Sequence, residues 1–351
     1  MKLLEDSIKN IKPLNEEFKK LAKERLDLQI KPLDSLGKLE DIAIQLSGVF
    51  QKQFVDINKK LILGFGADHG VFYENVSPCK RDVTKLQFSN FVTGGNGVKT
   101  ISSFTNSDVW AIDVGIDCDE IIKGSFDEKI RKGTSNLRVG PAMTKDEAIK
   151  SLEIGIKYAN KASLENYDLI GIGEMGICNT TPSTAIMCAF YDFSPEDITG
   201  MGCGLDNQGI NRKINVIKDS LKVNAPINKD SIEILSKFGG FEIGAMAGAI
   251  LGCAKNRKIV VLDGFISYAA YILAYNLNPL VKEYVISSHL SDEPASKMLL
   301  DKLDLSPLLN LNMKLGEGSG ASIAFNIIEI ANHTYKNMLT FDESNMENTH
   351  P

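Results

Sequence analysis

Five short apolar runs constrain this chain more than any other feature. They are Leu61–Gly66, Val109–Val114, Asp168–Ile172, Ile259–Leu262 and Tyr284–Ser287. Each is rich in Ile, Val or Leu without period-two alternation, the pattern of strands buried on both faces. Each then runs into polar or glycine-rich residues: Asp68-His69, Asp113 to Asp117, Glu174, Asp263-Gly264 and Ser288-His289. Helical patterns separate them, as in Leu36, Leu39, Ile42, Ala43 and Leu46. The alternation predicts an α/β protein with a largely parallel, Rossmann-like sheet flanked by helices. Such sheets bind ligands beyond the carboxyl ends of their strands, where these polar residues fall.

The two chain ends lie outside the alternation. Residues 1–55 and 300–345 read as a small helical domain, 56–299 as the α/β domain carrying most of the active site, and 341–351 as a polar, frayed tail. Lys255-Asn256-Arg257-Lys258 reads as a solvated basic turn. Ile243–Cys253 is uncharged but far too short to span a bilayer, and its Gly and Ala content suggests a close-packed buried helix. The start turns acidic at Glu5-Asp6 and lacks the apolar core of a signal peptide. No membrane segment is expected, and a cytoplasmic location follows. A net charge of −6 argues against a nucleic-acid partner. Six cysteines, at 79, 118, 178, 188, 203 and 253, include no C-x-x-C pair. The histidines at 69, 289, 333 and 350 show no H-x-x-x-H spacing. Free thiols are expected, and neither a metal nor a cofactor.

Three segments suggest chemistry. Gly171-Ile-Gly173-Glu-Met-Gly176 is formally G-x-G-x-x-G, with Asp192 downstream as a dinucleotide fold would have it. Glu174, however, would face an incoming pyrophosphate with like charge. The following Asn179-Thr180-Thr181 suits a single phosphate at a helix N-terminus. Leu315-Gly316-Glu317-Gly318-Ser319-Gly320 leaves a carboxylate between glycines; taken alone it reads first as an acidic residue at a helix N-terminus, and as a general base if burial raises its pKa. Gly202-Cys203-Gly204 precedes Arg212-Lys213, and that lysine is either a phosphate ligand or a solvated side chain.

Taken together, and in order, these segments are far more specific. They join Leu36-Gly37-Lys38-Leu39-Glu40, Ala67-Asp68-His69-Gly70, Ile112-Asp113-Val114-Gly115, Gly140-Pro141-Ala142-Met143, Gly239-Gly240-Phe241-Glu242 and Leu262-Asp263-Gly264-Phe265. Over roughly residues 30 to 335 the series resembles the nicotinate-nucleotide:dimethylbenzimidazole phosphoribosyltransferase family. The resemblance implies a parallel α/β domain, a small helical domain and a homodimer. Its substrates would be nicotinate mononucleotide and an aromatic base destined to become a cobamide's lower ligand.

By resemblance, Glu317 is the general base and Glu174 the second active-site carboxylate. Gly176, Asn179, Thr180, Thr181, Gly202, Gly204 and Lys213 would hold the ribose phosphate. Cys79, Gln87, Met175 and Leu315 would line the base pocket. Attack on the face opposite nicotinate would invert the β-nucleotide into an α-ribotide in one displacement. That fits the absence of any Cys–His or Ser–His arrangement. Cys79 replaces a family serine, Met175 stands where some members carry Leu, and Cys178 replaces a small Gly or Ala. The first two changes make the base pocket softer and more apolar. A non-catalytic partner subunit and a nicotinamide-dependent oxidoreductase are the competing readings. Retention of Glu317, Glu174 and Lys213 together favours catalysis.

Overall fold

The computed structural model describes residues 1–225 and 228–348. Its centre is a six-stranded, wholly parallel sheet in the order β3-β2-β1-β4-β5-β6. The strands are β1 Lys60–Ala67, β2 Asp108–Gly115, β3 Phe126–Asp127, β4 Leu169–Met175, β5 Ile259–Leu262 and β6 Val285–Ser287. All eight residues of β1 are buried, as are all four of β5, which explains why their sequences run apolar without alternation. The chain moves outward from β1 through β2 to β3, then crosses back to β4 on the other side. That reversal makes a switch point between β1 and β4, the place where an α/β sheet opens a crevice for ligand. The two-residue β3 has no apolar run to betray it and was not expected.

Helices cover both faces. Phe241–Lys255 lies against β1, β2, β4 and β5 and packs along Lys145–Leu164. Its residues from Phe241 to Ala254 are all buried, so Ile243–Cys253 is the close-packed helix its composition suggested. A second uncharged helix, Phe265–Leu277, is also buried over most of its length. Among the described residues no helix is long and apolar enough to cross a membrane. On the opposite face Ser319–Asn337 reaches β1, β4 and β5.

The chain ends meet. Glu16–Leu28, Lys38–Phe50 and Ser319–Asn337 pack together, with Ala22, Leu26, Ala43 and Tyr335 forming a small core of their own. Lys2–Asn10 packs instead on Lys145–Leu164 and Phe241–Lys255. Two expectations about the periphery need correction. Phe341 is buried and its N–H donates to the Leu28 carbonyl at 2.9 Å, while Glu343 pairs with Arg25 at 3.1 Å. Fraying therefore does not begin at Phe341; residues 349–351 lie outside the described residues. The basic turn is not simply solvated either. Arg257 donates to the carbonyls of Gly48 and Val49, and Lys258 pairs with Asp168 at 2.8 Å. These contacts hold the end of helix Lys38–Phe50 to the sheet domain.

Candidate active site

Beyond the carboxyl ends of β1, β4 and β5 the structure opens a cavity of about 350 Å³. One wall is built by the turn before helix Ser319–Asn337. Gly316, Glu317 and Gly318 follow one another with φ of +84°, +65° and +92°. Such a run is cheap for glycine but strains glutamate, so the surroundings must hold Glu317 in place. Asp263, just past β5, does so by accepting the N–H groups of Gly318, Gly320 and Ala321 at 3.0, 2.7 and 3.3 Å. Gly173 in β4 supplies the space: a Cβ there would stand 2.1 Å from the Glu317 carbonyl oxygen.

The Glu317 side chain is 7% exposed and lines the cavity. Its Oε2 accepts the N–H of Val98 at 2.9 Å, at the start of helix Gly97–Phe104. Burial raises its pKa, opposed by the amides of Val98 and Gly97, which favour the anion. Glu174, at the end of β4, is pushed up to about 8 by burial and by the neighbouring charges of Glu242 and Asp263. Its carboxylate accepts from Asn179 Nδ2 and, at 3.4 Å, from the Glu317 N–H. Burial likewise raises Asp263 to about 7, against its three amide donors. Three buried carboxyl groups thus share a wall where all three cannot easily be ionised at once. A cationic ligand would supply the missing countercharge.

The adjoining wall, joined to it at the Asn179–Glu174 hydrogen bond, has the opposite character. Helix Thr180–Tyr191 brings its N-terminus to the cavity, where the helix dipole favours an anion. Behind it Lys213 is fully buried, with Nζ donating to Thr180 Oγ1 at 2.8 Å and to the Gly200 carbonyl at 3.1 Å. Burial lowers its pKa to about 8. Cys178 sits in the turn at φ +78°, a conformation suited to glycine.

The structure brings Glu317, Glu174, Gly176, Asn179, Thr180 and Gly202 to the cavity wall, together with Cys79, Gln87, Met175 and Leu315. Lys213 reaches it through Thr180. Thr181, fully buried, and Gly204 are not part of the wall. The formal G-x-G-x-x-G does not form a dinucleotide turn. Gly171 and Gly173 lie inside β4, where they admit Ala321 and the Glu317 backbone against the sheet. Among the described residues one cluster has metal-ligand spacing, Asp27, Asp34 and Glu40. Each of its carboxylates is already paired, Asp27 and Asp34 with Lys23 and Glu40 with Lys31.

Sequence reasoning missed several supports. Asp263 stood in a quoted segment, and an aspartate directly after a buried strand was the available signal. His69 Nε2 and Glu242 Oε1 lie 2.7 Å apart, both fully buried, under the Gly176 turn. Glu293 had no local signal at all.

Comparison with known proteins agrees with this geometry. A family model described as phosphoribosyltransferase matches residues 11–346. The nicotinate-nucleotide–dimethylbenzimidazole phosphoribosyltransferase of Clostridioides difficile (strain 630) is 54% identical, covering 99% of each chain. The protein of that name from Clostridium perfringens (strain 13 / Type A) is 44% identical over 99% of this chain and 96% of its own. The crystal structure of CobT from Thermus thermophilus superposes with a TM-score of 0.91 at 33% identity, covering 94% of this chain and 99% of that one. With its full length matched and the cavity built as described, the chain belongs to the nicotinate-nucleotide–dimethylbenzimidazole phosphoribosyltransferase family.

Proposed function

We propose that this enzyme transfers ribose 5-phosphate from nicotinate mononucleotide to 5,6-dimethylbenzimidazole or a related aromatic base, giving an α-ribotide and nicotinate for cobamide assembly. One observation carries the reading: buried carboxylates and the N-terminus of a helix line a single cavity side by side. The nucleotide's phosphate fits the second wall, its pyridinium and anomeric carbon the first. The base nitrogen forms a bond to the anomeric carbon while the bond to nicotinate breaks, and the released electron pair neutralises the pyridinium ring. Glu317 takes the proton that the base loses. Burial and its acidic neighbours raise Glu174 to about 8, and the substrate's pyridinium nitrogen favours its ionised form, which stabilises developing positive charge on the ribose. The reading includes a cytoplasmic homodimer, as the family resemblance implies. Mixing the protein with nicotinate mononucleotide should release nicotinate only when a base is added; no base-dependent release overturns the reading.

Lys213→Ala is expected to raise KM for the nucleotide with little change in KM for the base. A charge-assisted phosphate contact contributes about 1.5–3 kcal/mol, so the nucleotide KM should rise at least about tenfold. Loss of base affinity alone would show that Lys213 does not serve the phosphate.

Cys79 and Met175 line the cavity, and by the family resemblance they face the base. A thiol is a weaker hydrogen-bond partner than a hydroxyl, and methionine adapts to irregular shapes. The enzyme should therefore discriminate among aromatic bases less sharply than a serine-bearing relative. Cys79→Ser is expected to shift preference towards bases with a hydrogen-bonding ring nitrogen by up to about 1 kcal/mol. The ratio of kcat/KM for dimethylbenzimidazole and a phenol measures this, and an unchanged ratio would show that Cys79 does not act on the base.

A further inference from the structure

The anion-binding wall already contains a carboxylate. Glu293, in the loop after β6, lines the same cavity as Thr180 and Gly202. Its Oε2 lies 1.8 Å from where a Cβ on Gly200 would stand, so it occupies space that only glycine leaves open. The carbonyl of that same Gly200 accepts from Lys213 Nζ at 3.1 Å. Carboxylate and ammonium are thus gathered around one residue, while Lys213 spends hydrogen bonds on Thr180 Oγ1 and the Gly200 carbonyl. Of the charged groups acting on Lys213, Glu293 acts most strongly, and Lys213 is in turn the foremost cation acting on Glu293. Burial pushes the nearby thiols of Cys178 and Cys203 up to about 12 and 11, so they are neutral near pH 7. Glu293 is left as the formal countercharge to Lys213 on this wall.

We propose that Glu293 is a built-in competitor of the substrate's phosphate, countercharging Lys213 in the empty site and giving way when a phosphate monoester binds. This rests on the reading that the phosphate docks at Lys213 and Thr180. Glu293 does not touch Lys213 directly, but a phosphate docked at Lys213 and Thr180 would share its wall, and two anions there repel strongly in a partly desolvated cavity. Lys314, which lines the same cavity and pairs with Asp292 at 3.2 Å, is the second cation acting on Glu293 and lies on the side to which the carboxylate can turn. Glu293 is a positioning residue, because it lies on the phosphate wall and away from the carboxylates that serve the anomeric carbon. Substrate and product ribotide carry the same 5′-phosphate. Glu293 therefore weakens both alike, which leaves the chemical barrier unchanged and hastens product release.

The test is calorimetric titration of inorganic phosphate into wild type, Glu293→Gln, Glu293→Ala, Glu293→Asp and Lys213→Ala, with steady-state kinetics on each. Both neutral Glu293 variants should bind phosphate about tenfold more tightly, the scale of one relieved charge repulsion. Their KM for the nucleotide should fall while KM for the base stays fixed, and inhibition by the ribotide product should strengthen. Glu293→Asp, which keeps the charge, should behave as wild type does. If Lys213→Ala binds phosphate as well as wild type, the phosphate assignment itself is wrong. If Lys213→Ala loses phosphate but the neutral Glu293 variants gain nothing, the competitor role alone is overturned. A gain in Glu293→Asp equal to that of the neutral variants also overturns it, because packing would then be the cause.

Discussion

Glu317→Gln is expected to fold and bind nucleotide as the wild type does, yet lose about 10²–10⁴ in turnover, the usual cost of removing a general base. The amide has the shape of the carboxyl group and can still offer an oxygen to the Val98 N–H, so the left-handed turn survives. It cannot accept the proton that the base gives up. Because burial raises the pKa of Glu317, the acidic limb of the wild-type pH–rate profile should lie above the ordinary carboxylate range. Single-turnover nicotinate release with dimethylbenzimidazole measures both effects. Near wild-type turnover by the variant would remove Glu317 from the mechanism.

Glu174→Gln is expected to be more stable than wild type at alkaline pH and scarcely different at pH 5. Folding raises this carboxyl from its ordinary 4.5 to about 8. Between those values the folded protein holds a proton that the unfolded chain has lost. Stability therefore falls as pH rises through that window and levels off above it. Glutamine mimics the protonated acid and does not titrate, so the variant escapes this loss. The difference should grow to a few kcal/mol by about pH 8.5, an order-of-magnitude figure from linkage. Asp263, raised to about 7, contributes in the same direction and remains in the variant, so some pH dependence persists. Urea unfolding at both pH values measures the effect. An equal stability difference at pH 5 and pH 8.5 would show that Glu174 is ionised in the folded protein. Turnover should fall in the same variant, the cost of a site built from destabilising groups.

Much of the fold was legible because a strand buried on both faces writes an unbroken apolar run. The helix Phe241–Lys255 was legible because close packing selects Gly and Ala. β3 left no trace, since two residues carry no pattern. Arg257 and Lys258 looked solvated because their partners, Gly48, Val49 and Asp168, are far away in sequence. The site divides in the same way. Glu317 announced itself through its flanking glycines, and the ordered resemblance gave it a role. Lys213 in isolation reads better as a surface lysine; its complete burial depends on the loop around Gly200. Asp263 matters for three backbone amides more than fifty residues downstream, and no local spacing encodes that. The G-x-G-x-x-G was set aside on the charge of Glu174, and the structure agrees: the same glycines that could admit a pyrophosphate here admit another backbone turn.

The anomeric configuration of the product tests the central claim most directly. Wild-type protein is incubated with β-nicotinate mononucleotide and 5,6-dimethylbenzimidazole, and the ribotide is examined by proton NMR at its anomeric position. A single displacement with Glu317 as base gives the α-ribotide, with nicotinate released in equal amount. A β-ribotide would mean retention, which a single displacement on the face opposite nicotinate cannot give, and would contradict the account.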